Sequence, residues 1–132
     1  MAIQLSIAAR NARLDAIETT IGTSANLHLR TGAQPADCAT ADSGSLLGTL
    51  ALPSDWLAAA ASGAKAKAGT WSGTASGTGT IGHHRLKDSG NAATHLQGSC
   101  GTGSGDLSFD NAAVVSGQTI TVNTYTLTDG NA

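Results

Sequence analysis

Polar and apolar residues alternate with a period of two along much of this chain, the signature of half-buried β-strands. Asn26-Leu27-His28-Leu29-Arg30 follows this pattern, and Leu46–Leu52, closed by Pro53, predicts a second strand. Lys65–Trp71 alternates again. Thr80–Lys87 and Ala92–Cys100 predict a hairpin around Asp88-Ser89-Gly90-Asn91. A two-residue turn at Ser89-Gly90 would set His84 directly opposite His95. Leu107–Asp110 predicts a short strand, and Thr119–Thr128, rich in Thr, Ile, Val and Tyr, the clearest one. Thr31–Ser43, Ser72–Gly79 and Gly101–Gly105 read as loops, the second of them exposed. Ser54–Ala61 reads either as a helical turn or as a strand.

One segment departs from the alternation. From Ser6 to Thr20, with Gly22 just beyond, the spacing of Leu14, Ile17 and Ile21 predicts an amphipathic helix. Ser6 can cap its first turn, and Gly22 stands where a helix-ending glycine would. So short a helix is not stable alone and must dock, on its own sheet or on a neighbour. The whole pattern predicts a mainly β fold. It is a jelly-roll-like antiparallel β-sandwich with one N-terminal α-helix. Residues 1–22 form a helical arm and 23–132 the sandwich, in a single domain overall.

Composition changes this picture in one respect. The chain holds 17 glycines, 24 alanines, 13 serines and 17 threonines among 132 residues. Leu, Ile, Val and Phe fall below the roughly 20% at which disorder becomes a concern. Yet disorder also calls for a high net charge, and the formal charge is only −2. The two signals reconcile in a thin β-fold of small side chains whose neighbours supply part of its stability.

Charge and chemistry narrow the function. The basic residues are scattered, with Lys65–Lys67 the densest pair, so a nucleic-acid surface is not expected. Neither a basic-then-apolar leader in Met1–Ile7 nor an apolar run of membrane length is visible. Cys38 and Cys100 are expected as free thiols in a chain made in cytoplasm. His84 and His95 form the sharpest metal hypothesis, but zinc needs three or four ligands. His28, His83 or Cys100 would have to complete the set, and surface or interface imidazoles are the simpler reading. Gly101-Thr102-Gly103-Ser104-Gly105 precedes a strand rather than a helix and lacks a phosphate-binding Lys. No nucleophile elbow is present. No catalytic residue, metal or cofactor is therefore expected.

Three groups of residues carry a resemblance to a known family. They are Arg10–Ile17, then Leu52–Trp56 with Lys65–Trp71, and finally Gly117–Thr119 with Val122-Asn123 and Thr126–Thr128. In this order they resemble small structural proteins of tailed bacteriophages. Within short-tailed phages, jelly-roll proteins of this size serve as capsid cement or decoration proteins. The resemblance implies a virion component on the capsid surface, bound to the major capsid protein and self-associated as a dimer or trimer. A tail, collar or fibre-associated role is the alternative, and a carbohydrate-binding module using exposed aromatics such as Trp56 a further one. Arg10, Arg13, Leu14, Ile17, Trp56 and Trp71 are the interface candidates, Trp71 doubling as a candidate for the core centre.

Overall fold

The computed structural model describes residues 3–130; positions 1, 2, 131 and 132 of the expected arm and sandwich lie outside the described residues. One helix, α1 (Ile7–Ile21), precedes ten strands. These are β1 (Asn26–Thr31), β2 (Leu46–Ala51), β3 (Ala64–Ala66), β4 (Trp71–Thr74) and β5 (Gly79–Lys87). β6 (Thr94–Thr102), β7 (Leu107–Phe109), β8 (Ala113–Val114), β9 (Thr119–Val122) and β10 (Thr126–Thr128) follow. The fold is mainly β with one helix and curled, largely antiparallel sheets, consistent with a β-sandwich. The main sheet runs β2-β1-β5-β6-β7, with β8 on the start of β5, and two ribbons, β3–β10 and β4–β9, complete it. Two four-stranded sheets, as in a jelly roll, are not seen among the described residues.

The helix forms as its ends dictate. Ser6 Oγ accepts the Ala9 N–H, and Gly22, at φ +90°, donates its N–H to the Glu18 carbonyl. Leu14 and Ile21 are buried and Ile17 partly so. The docking surface is nevertheless as polar as it is apolar. Asn11, Asp15 and Glu18, spaced i, i+4, i+7, face segment 57–63, which belongs to no sheet. Their oxygens accept the backbone N–H groups of Gly63 (2.9 Å), Ala60 (3.1 Å) and Leu57 (3.4 Å). Lys65 is 2% exposed and places its ammonium between Asp15 (2.7 Å) and Glu18 (2.9 Å). The helix thus docks on its own chain.

Few large side chains fill the interior. Trp56 and Trp71 are fully buried, with ring centroids 6.0 Å apart, and Trp71 lies 5.3 Å from the Tyr125 ring. Each such pair contributes roughly 0.5–1.5 kcal/mol beyond burial. Both indoles are hydrogen-bonded, Trp56 Nε1–H to the Gly22 carbonyl and Trp71 Nε1–H to that of Ala68. Around them Leu27, Leu29, Leu47, Leu50, Leu86, Ile81, Ile120 and Val122 make one continuous core. The core is continuous within one chain, because small residues let backbones approach.

The stretch 72–79, expected as an exposed loop, shows how. Its first residues are β4, paired with β9 from Ser72↔Thr121 to Thr74↔Thr119, and Ala75 is buried and bridged to Gly48. A Cβ on Gly73 would lie 3.1 Å from the Thr49 carbonyl oxygen, and one on Gly48 3.1 Å from Ile120 Cδ1. Two other expectations also change. Lys65–Trp71 is not one strand, because the chain turns at Gly69 (φ +68°) against Pro53. Thr119–Thr128 divides at 123–125 into β9 and β10, which serve different ribbons and leave Tyr125 between them to enter the core. Segment 54–61 is neither helix nor strand, touching sheet geometry only at Leu57↔Lys67 and Ala61↔Ala64.

Gly82 offers a sharp test of close backbone approach. A Cβ there would sit 2.3 Å from the Gly32 carbonyl oxygen, whereas at Gly90 the nearest atom is 3.8 Å away. Gly82→Ala is expected to destabilise the protein by about 1–3 kcal/mol in urea unfolding. Gly90→Ala should leave the midpoint within about 0.5 kcal/mol.

Candidate functional site

The His84–His95 juxtaposition does not form. In the β5–β6 hairpin His84 pairs with Gly98, and a register shift after Leu86↔Leu96 brings Lys87 to Thr94, leaving His95 unpaired in the ladder. The connection is the longer segment 88–93, closed by Asp88 Oδ1 accepting the Ala92 N–H, rather than a two-residue turn. His95 is exposed and 3.8 Å from Asp88, while His84 points into the core. Among the described residues no group of three metal-ligating side chains gathers.

The inward face of β5 holds a closed polar cluster instead. His84 is fully buried, one ring nitrogen 3.0 Å from the Tyr125 hydroxyl and the other 3.3 Å from Cys100 Sγ. One of these nitrogens donates and the other accepts, as a neutral imidazole requires. Burial holds His84 down to about 4 and pushes the Cys100 thiol up to about 12; the Asp106 charge opposes the first shift and adds to the second. Burial also raises Tyr125. A nucleophile–base arrangement needs an ionisable thiol and a titratable base, and these groups are locked in their neutral forms. Asp106 itself accepts from Ser99 N–H and Oγ–H, both at 2.9 Å, which holds its carboxyl below the usual range.

The outward face of the main sheet carries Asn26, His28 and Arg30 on β1 beside His83, Arg85 and Lys87 on β5. Segment 32–44 lies over it. The Arg85 guanidinium, 1% exposed, donates to the carbonyls of Asp37, Cys38 and Thr40 and to Asp42 Oδ1 at 2.6 Å. His83 bonds the Gly32 carbonyl at 2.9 Å and Gln97 Nε2 donates to that of Pro35 at 2.8 Å. Asp42 also receives Arg30 and Lys87. Burial pushes the Asp42 carboxyl up, but bonds from Lys87 and Arg85 and the charge of Arg30 outweigh it and hold it at about 2. His28, bonded to Asn91 at 3.1 Å, is lowered by burial. The thiols Cys38 and Cys100 are free, one in this outer segment and the other beside His84 on the inner face.

The interface candidates separate into two groups. Trp56, Trp71 and Leu14 are interior groups, so none lies on a surface a partner can reach, and a Trp56-based carbohydrate surface does not exist. They are buried because the chain has so few other bulky side chains to fill its core. Arg10 is half-buried against Gly63, with Nη1 donating to the Asp129 carbonyl at 3.1 Å. Arg13 and Ile17 do reach the surface. They line shallow grooves on α1 with Ala16, Thr20 and His95 on one side and Thr128–Gly130 on the other, and Arg13 pairs with Asp129 at 3.1 Å. At the amino-terminal end Ile3 and Ile7 are 81% and 54% exposed.

Comparison with protein-family models, curated proteins and solved structures finds no significant match to this chain.

The geometry therefore carries the reading of the site. The reachable sequence-derived candidates converge on the outer surface of α1, and the interior polar side chains each have a structural partner, although His28 Nδ1, His83 Nε2, Arg85 Nε and Gln97 Oε1 are buried without one. Arg85, Asp42, Asn11 and Asp15 were not singled out from sequence, whereas Tyr125, as one of only four aromatic side chains, was a candidate for the core. The one available signal was the run His83-His84-Arg85, polar on both strand faces, which implies that both faces are covered.

Two pH responses follow. His84 is neutral in the fold and titrates lower than in the unfolded chain, so its contribution is complete above about pH 6.5 and lost as pH falls toward 4. His84→Gln is expected to flatten this part of the stability-versus-pH curve, which in the parent carries roughly 3 kcal/mol. Asp42→Asn is expected to cost about 1–3 kcal/mol at neutral pH. The Asp42 carboxylate contributes above pH 4 and is lost on descent through 2, so the gap between variant and parent should close in that window. Chemical denaturation at stepped pH measures both.

Proposed function

We propose that this chain is a structural protein of a tailed-phage virion, a capsid cement or decoration protein that binds the major capsid protein lattice. The observation that carries this reading is the division of its chemistry. His84, Cys100 and Tyr125 form an enclosed neutral cluster, while Ile17 lies beside Arg13 in a shallow surface groove and Ile3 and Ile7 are exposed toward the amino-terminal end of α1. A binding surface of apolar side chains with an arginine is the composition of a protein contact. The resemblance in Arg10–Ile17 falls on this same helix. Repetition over a symmetric shell multiplies modest contacts into high avidity. Self-association as a dimer or trimer belongs to the same reading.

Copy number tests it. Quantitative mass spectrometry of purified particles should find on the order of hundreds of copies, as lattice-wide repetition requires. A dozen or fewer would place the protein at a vertex, in a tail or collar, and end the cement reading. Ile3→Asp with Ile7→Asp should retain the fold, since both side chains are exposed, and lower co-sedimentation with capsid shells at least tenfold, about 1.4 kcal/mol.

A further inference from the structure

We propose that the groove between β7 and β9 is a binding site for a neutral saccharide. Among the described residues β7 ends the main sheet and β9 is paired only with β4, so two edge strands contribute to the groove, with Val114 of β8. Its volume of about 460 Å³ lies within the roughly 300–1,000 Å³ of small-molecule sites. Half-buried Phe109 and buried Ile120 give it an apolar floor.

Its polar lining selects the ligand class. Asn111 Oδ1 accepts the Ala113 N–H at 3.0 Å, and Gln118 Oε1 accepts the Val115 N–H at 3.1 Å. Both amides are thereby pinned by their oxygens, and their NH₂ groups have no partner among the described residues. Asp110 and Asn123 also line the groove and both are exposed. The groove therefore offers fixed donors, an acceptor carboxylate and an exposed amide. Adjacent hydroxyls, each both donor and acceptor, need this mixture, and pinned groups lose little freedom on binding. No Lys, Arg or His lines the groove, so an anion or a nucleic acid finds a carboxylate and no counter-charge. The less polar C–H face of a sugar ring suits a floor of Phe109 and Ile120. The inference stands apart from the virion reading, and its failure would leave that reading untouched.

The intact protein should be applied to an array of neutral oligosaccharides, and the strongest ligand titrated by amide NMR. Asp110→Ala and Asn123→Ala remove exposed side chains and preserve the fold, and Gln34→Ala, on the outer-face segment, serves as control. The expected result is binding to discrete neutral saccharides, weakened about tenfold or more by either groove variant and unchanged by Gln34→Ala. Absence of any saccharide binding, or binding equal in the groove variants, would overturn the proposal. So would shifts at Asp110 and Asn123 produced only by calcium chloride or by an extended peptide added along the open strand edges.

Discussion

A single buried ammonium holds the two parts of this molecule together. Lys65 lies between Asp15 and Glu18, and on either side of it the helix supplies acceptors to a segment with few strand partners. Segment 57–63 is rich in alanine and would otherwise leave N–H groups unpaired at a buried boundary, which is costly. The helix completes what a neighbouring strand normally provides. Burial works against the charge on Lys65, but the hydrogen bonds it donates to both carboxylates more than offset it and raise its affinity for the proton. Such an arrangement adds less to stability than to the choice of one docking geometry.

The same economy runs through the rest of the fold. With scarce bulky side chains, the core concentrates aromatic volume in the line Trp56, Trp71, Tyr125, the last edge-on to His84 at 5.5 Å. Elsewhere glycine and alanine bring strands near enough for backbone to pack on backbone. On the outward face, which segment 32–44 covers, a guanidinium and its carbonyl partners take the role of a hydrophobic layer. Arg85 suits this use because its planar fork serves four acceptors at once.

Local patterning was legible where one residue type has one use. The Ser6 cap, the Gly22 stop, the strand Asn26–Thr31 and the β5–β6 hairpin all follow from the nearest neighbours in sequence. What escaped depended on distant partners. Period two in Lys65–Trp71 hid the turn that Pro53 imposes at Gly69, since contact across 16 positions leaves no mark on alternation. Low complexity in 72–79 suggested exposure, although small residues are equally what close packing demands. For the site, Arg13 and Ile17 were legible from helical spacing. The enclosure of His84 was not, because it rests on Tyr125, 41 residues away, and on a register shift that moved His95 out of line.

Asp129 sits near the other end of the chain and grips the beginning of it. Its carbonyl takes Arg10, its carboxylate takes Arg13, and its N–H goes to the Gly63 carbonyl. Translation delivers α1 first, so the helix emerges from the ribosome more than a hundred residues before this latch exists. Lys65 can seat it provisionally, but the latch closes only once a residue 119 positions beyond Arg10 has been made. Between those two moments the helix is held by one half of its eventual contacts, and the seat left for Arg10 and Arg13 stays empty.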